Sequence, residues 1–163
     1  MARAKTKART SRPSVRKVAA RRTLKRNGRS ASKGRPPHKF LVKKFRTEDF
    51  KGDGLRNYAH YRDLGVKDAT RGMVVAHVIR LLGQCDPKVV SKNHYHDTDF
   101  QMIYVLKGSI TSWFEGQGTH TMNAGDCWLQ PQRIKHKVLD YSPDCEVLEI
   151  VMPGDFKTVE LEK

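Results

Sequence analysis

From Phe40 onward, apolar residues come in short runs rich in β-branched and aromatic side chains, and each run stops at Gly, Pro, Asn, Asp or Ser. "FLVKKF" is followed by "GLRNYAHYRDLG", by "MVVAHVIRLL", by "KVVSKNHYH" and by "FQMIYVLKG". Runs of this length and composition, bounded by turn residues, predict strands. "SITSWFEGQGTHTM" reads as two strands joined by a Gly-containing turn, a hairpin. "NAGD" is a further turn, "CWLQP" and "IKHKVLD" are short strands, and "CEVLEIVMP" is the final one. A helical turn is expected at "LGVKDAT", and nothing else carries sustained 3.6-residue periodicity. Many short strands at regular spacing predict an antiparallel sandwich or barrel, and about 120 residues can bury an adequate core in that form.

The segment before these strands has a different chemistry. Residues 1–40 hold 15 of the 32 Lys and Arg and none of the 17 Asp and Glu, so residues 41–163 carry 17 of each. The whole net charge of +15 therefore belongs to the N-terminal segment, and the strand-forming part is formally neutral. Without aromatic residues and with few large aliphatics, residues 1–38 are expected to be a disordered basic tail, with a barrel over 39–163. "SVRKVAARRTLKRN" offers Val15, Val18 and Leu24 as a thin helical stripe against an anionic partner. The tail's charge suits non-specific nucleic acid or an anionic surface. It lacks aromatics for base stacking and any groove-reading motif. A transit peptide fits its lack of acids, but not its dense lysines.

The three cysteines, Cys85, Cys127 and Cys145, are odd in number and widely spaced, which excludes a CxxC pair. Free thiols in apolar surroundings fit a reducing cytoplasm. No apolar run approaches the roughly 18 residues of a membrane helix.

"NHYHDTDFQ", residues 93–101, places two histidines at i and i+2. On a strand these share one face about 6.6–7 Å apart, so His94 and His96 can converge on one ion. The turn "DTD" brings the chain back with Gln101 opening the next strand, and His136 shares a face with Ile134 and Val138. An inward histidine among aliphatics needs a partner to offset its desolvation, and a metal provides one.

"HYHDTDFQMIYVLKG" resembles the first motif of the cupin superfamily, giving His94, His96, Gln101 and Gly108 at that motif's spacing. "GDCWLQPQRIKH" resembles the second, with Gly125, Pro131 and His136 in place, Arg133 where a glycine is usual and Asp140 where an asparagine is usual. The resemblance to small RmlC-like metal-binding cupins implies a double-stranded β-helix (jelly-roll) barrel and a homodimer. It also implies one divalent ion (Fe, Mn, Ni or Zn) on His94, His96, Gln101 and His136. Most metal-binding cupins carry glutamate where Gln101 stands. Four neutral ligands leave the ion's charge uncompensated, which favours an anionic substrate group or bound hydroxide. A His, His, Gln, His set resembles small cupins that open unsaturated uronates, while three-histidine cupins include dioxygenases.

The expected function is thus a metal-dependent enzyme acting on a small, anionic, oxygenated substrate, either dioxygenase-like or a non-redox isomerase or ring-opening enzyme of a sugar acid. The alternative is a non-catalytic ligand-binding or sensing module tethered by its tail. His77, which alternates with Val75 and Ile79, is read as a satisfied core histidine or as a cavity-lining group. Arg80 and Arg133 are candidates to grip a substrate carboxylate in a fork. Tyr104 and Trp128 are candidate pocket aromatics, with barrel packing as the plainer role for them and for Trp113 and Phe114. Asp97 and Asp99 read as turn residues, with a carboxylate ligand as the alternative for either. His120, between Thr119 and Thr121 of the hairpin, reads as exposed.

Overall fold

A computed structural model describes residues 36–161. The disorder, helix and anionic-partner readings of residues 1–35 therefore lie outside the described residues. Within them the strands are β1 (Ala59–Asp63), β2 (Val75–Leu81), β3 (His94–Asp97), β4 (Phe100–Lys107), β5 (Ser109–Phe114), β6 (Gly118–Asn123), β7 (Cys127–Leu129), β8 (His136–Tyr141), β9 (Glu146–Met152) and β10 (Lys157–Glu160). They form two five-stranded sheets, ordered β1-β2-β9-β4-β7 and β10-β3-β8-β5-β6. The strand pairings within both are antiparallel. This is the antiparallel sandwich that the strand spacing predicts, in the jelly-roll form that the motif resemblance implies.

Period-two alternation decides which side chains enter the sandwich. In β4, Gln101, Ile103 and Val105 are buried, while the intervening Met102, Tyr104 and Leu106 turn outward. In β5, Ile110, Ser112 and Phe114 are the buried set. The packed core draws on both sheets: Leu81, Ile103, Val105 and Val147 from one, with Ile110, Phe114, Met122 and Tyr141 from the other. Val105 and Cys145 are fully enclosed there.

Helix α1 (Val66–Thr70) stands where "LGVKDAT" is expected to form a helical turn. Three segments differ from the sequence expectation. "FLVKKF" is not a strand but an extended, exposed arm, fixed by Lys39 N–H to the Ala69 carbonyl (2.9 Å) and Arg62 Nη2 to the Lys44 carbonyl (3.1 Å). It pairs with no strand among the described residues, and the outer edge of β1 carries a single bridge, Lys51 to Tyr61. "KVVSKNHYH" divides into helix α2 (Pro87–Val90) and β3. Asp86 caps the helix by accepting from Lys88 N–H (3.0 Å) and Pro87 occupies its first turn, an arrangement favoured at helix starts. Finally, β10 follows "CEVLEIVMP" and covers β3.

No helix among the described residues is long and apolar enough to cross a membrane. Cys85, Cys127 and Cys145 are all free thiols.

Gly108, which closes the first motif, has a left-handed φ of +69°. A Cβ there would fall on Ser142 Oγ and Asp144 Oδ1 and lie 3.0 Å from Cys145 Cα. Gly108→Ala is expected to lose at least about 2 kcal/mol, combining backbone strain with overpacking. Thermal melting checks this; an unchanged melting temperature would contradict the assigned turn geometry.

Candidate metal centre

His94 and His136 open β3 and β8 and face each other at the position where those strands pair. Paired residues of antiparallel strands share a face, so both rings enter the sandwich. His96, two residues on, enters the same face, and the ring centroids lie 4.2–5.1 Å apart. One ring nitrogen from each of the three lies within 4.8 Å of the others, close enough to converge on one ion.

Backbone geometry chooses which nitrogen is presented. His94 Nδ1 lies 2.8 Å from the Lys92 carbonyl and His136 Nδ1 lies 2.9 Å from the Ile134 carbonyl. A carbonyl only accepts, so each Nδ1 carries the proton and each Nε2 keeps its lone pair. His96 Nδ1 meets Thr158 Oγ1 of β10 at 2.9 Å, and Phe156 packs edge-on against the His96 ring. Burial lowers the pKa of His94, and drives His96 to about 4 and His136 to about 3. All three are therefore neutral near physiological pH, the state a metal ligand requires. Three neutral imidazoles with two fixed Nε2 lone pairs fit a divalent transition metal.

The opposite sheet supplies a second set of groups. Glu149 of β9 lies inward between Val147 and Val151, with its side chain 13% exposed. Its Oε2 accepts from His77 Nε2 (2.6 Å) and its Oε1 from Gln101 Nε2 (2.6 Å). Because a carboxylate only accepts, this contact fixes the Gln101 amide with NH2 toward Glu149 and Oε1 away from it. Gln101 Oε1 accepts from Gln130 Nε2 (2.9 Å), which also lies 3.2 Å from His136 Nε2. Trp128 Nε1–H, a donor only, reaches Gln130 Oε1 at 3.4 Å and sets that amide the same way. Burial opposes ionisation of Glu149, but the hydrogen bonds from His77 and Gln101 offset it and hold the pKa below the ordinary value.

These groups line one cavity of about 890 Å³. His94, His96, Gln101, His136, His77 and Trp128 of the expected set are all on its wall. Three expected residues are elsewhere. Arg80 pairs with Glu146 (2.7 Å) and stacks 3.8 Å over Phe50, because β2 parity sends it outward. Tyr104 is outward on β4 for the same reason, 37% exposed. Arg133 is exposed and paired with Asp97 at 3.0 Å. Its φ of +59° is left-handed, the conformation that suits the glycine usual at this place in the motif. Asp97 is thus engaged away from the histidines, Asp99 is exposed in the turn, and His120 is exposed in the hairpin.

Glu149, Gln130 and Thr158 were not singled out from sequence, and Glu149 changes the charge argument. A carboxylate lies one hydrogen bond behind Gln101, so a four-ligand neutral set does not sit in an uncharged cavity. Its signal was its phase: Glu149 alternates with Val147 and Val151 in an otherwise apolar run.

A model of the cupin domain matches residues 83–151. No curated protein sequence matches the chain. Solved structures that share its fold include KdgF from Halomonas sp., 18% identical over 67% of this chain and 93% of the other, with a TM-score of 0.52. The polyketide cyclase RemF from Streptomyces resistomycificus is 18% identical over 76% and 87%, with a TM-score of 0.59. Salicylate 1,2-dioxygenase from Pseudoaminobacter salicylatoxidans is 8% identical over 67% of this chain and 31% of that one, with a TM-score of 0.53. Residues 83–151 thus match the cupin domain, both motifs lie on the β3–β4 and β7–β8 segments, and the chain shares the jelly-roll fold of these structures.

Proposed function

We propose that the chain is a metal-dependent enzyme that moves a proton on a small oxygenated acid, an isomerisation or ring opening rather than an oxidation. His94, His96 and His136 would hold one divalent ion through ring nitrogens, with Gln101 Oε1 as fourth donor. When bound, the ion supplies Lewis-acid polarisation of a carbonyl, enol or carboxylate oxygen. The observation that carries the reading is Glu149, a buried ionised carboxylate beside the ligand amide and backed by His77 at 2.6 Å.

Each Glu149 oxygen uses one lone pair on its present partner and keeps another, so the group can accept a proton from a bound substrate. His77 donates to Oε2 and holds the carboxylate in place, and Gln101 does the same at Oε1. Fold alone does not select this chemistry, since a cyclase and a dioxygenase share it. The paired carboxylate and histidine favour proton transfer.

Glu149→Gln keeps the shape but cannot accept from both His77 and Gln101. It is expected to lower turnover by about 10²–10⁴-fold while metal content stays near that of the parent. Incubation with uronates and 2-oxo acids in D₂O, read by mass spectrometry, tests the reaction class. Deuterium gained at a carbon beside the carbonyl or carboxylate supports proton transfer; oxygen consumption without deuterium uptake overturns it. His136→Ala is expected to lose the metal, measured by elemental analysis, and metal retained at full stoichiometry would remove the proposed site.

The lowered histidine pKa values give a pH dependence. Folded His96 and His136 resist protonation down to about 4 and about 3, whereas the unfolded chain protonates near 6.5. The unfolded state therefore binds more protons below 6.5, and the metal-free chain loses stability as pH falls from there toward 4. At about pH 5 the loss is expected to be about 1–2 kcal/mol per histidine. Thermal melts of metal-free protein and of the His96→Gln/His136→Gln double variant should show the steeper acid loss in the former.

A further inference from the structure

The cavity has a cation that the histidines and Glu149 do not use. Arg56 sits in the loop before β1 and lines the same wall as His94 and His96. Its positive charge lowers the basicity of both histidines. The Arg56 side chain is only 12% exposed. Its Nη1 donates to Glu160 Oε1 at 2.5 Å, but its Nη2 is buried with no hydrogen-bond partner among the described residues.

Glu160 is a different kind of partner from Glu149. It is 49% exposed, and on β10 it stands opposite His94, so it leans toward the cavity from the rim. Strands β1 and β10 are edge strands of opposite sheets, and the Arg56–Glu160 pair spans the open side between them. A half-exposed ion pair holds weakly, whereas a buried guanidinium nitrogen without an acceptor carries a real cost. Nη1 and Nη2 form one edge of the guanidinium, the edge that takes a carboxylate through two parallel hydrogen bonds. Glu160 fills only half of it.

We propose that Arg56 is a carboxylate-binding subsite of the cavity, with Glu160 occupying it until the carboxylate of a substrate displaces the Glu160 side chain. The inference rests on the reading of the cavity as a substrate site and names the substrate class: a small acid whose carboxylate engages Arg56 while an oxygen function elsewhere in the molecule reaches the histidines. No bond is made or broken at this subsite; one carboxylate replaces another. It also supplies the role for which Arg80 and Arg133 are wrongly placed.

The test uses the zinc-loaded full chain with D-galacturonate and D-galactose, a pair that differs by the carboxylate, and titration calorimetry. The parent is expected to prefer galacturonate, and Arg56→Gln to weaken galacturonate by about tenfold or more with galactose unchanged. Glu160→Gln removes the competitor and is expected to tighten galacturonate several-fold, a gain that a purely structural ion pair would not give. This second arm decides if Arg56→Gln fails to fold. The proposal is overturned if the parent shows no preference for galacturonate, if Arg56→Gln keeps the parent's preference, or if Glu160→Gln leaves galacturonate binding equal or weaker. Zinc content is measured on each protein. Absence of stoichiometric zinc in the parent counts against zinc at the three histidines and not against this subsite, because Arg56 is not a ligand and the same comparison can be made on zinc-free chain.

Discussion

Glu149 can only accept hydrogen bonds, and the polar interior of the sandwich takes its direction from that fact. His77 must donate to one oxygen and Gln101 to the other, so Gln101 turns its carbonyl oxygen away and Gln130 answers with its NH2. At the far end, the indole N–H of Trp128 fixes Gln130 from the other side. A chain bounded by an obligate acceptor and an obligate donor has one self-consistent arrangement. That arrangement aims the Gln130 NH2 at the same two atoms, Gln101 Oε1 and His136 Nε2, that would take an ion. Gln130 therefore satisfies the His136 Nε2 lone pair in the metal-free site, and an ion bound there would have to take its place.

The two sheets divide the work. His94, His96 and His136 come from β3 and β8 of one sheet, while His77, Gln101 and Glu149 come from β2, β4 and β9 of the other. Sheets packed about 10 Å apart keep the two sets facing but separate, and Gln130 links them, donating to Gln101 Oε1 and lying 3.2 Å from His136 Nε2. The desolvation that makes the histidines poor bases is the same burial that strengthens hydrogen bonds to Glu149. Apolar packing around Val105, Cys145, Ile110 and Val147 offsets the cost of keeping these polar groups inside.

Much of this was readable in advance because it follows from spacing. The i, i+2 histidines, the returning Gln101 and the distant His136 are related by strand parity and by two motifs, and the structure brings them to one cavity. What escaped was information carried by phase or by contacts distant in sequence. Arg80 looked available beside His77, but one step along a strand reverses the face, so it stacks on Phe50 instead. Glu149 lies inside an otherwise apolar run, and its parity with Val147 and Val151 points it inward. The "FLVKKF" arm has strand composition but pairs with neither sheet, an outcome its local composition does not encode. Arg56 and Glu160 are 104 residues apart, and nothing local in either segment links them.

The amide at position 101 acquires a different meaning from this arrangement. A glutamate there would place its negative charge on the ion; glutamine leaves the ligand neutral and moves the negative charge one hydrogen bond back, to Glu149. Charge compensation through the Gln101 amide is weaker than direct ligation, so an ion held there would be a stronger Lewis acid. The displaced carboxylate is also not consumed by coordination. It is left with free lone pairs, a fixed orientation and a histidine behind it, which are the requirements of a proton acceptor. Under the proposed function, exchanging a ligand carboxylate for an amide and a carboxylate in series would separate two tasks, polarising the substrate and taking its proton, that a single glutamate could not perform at once.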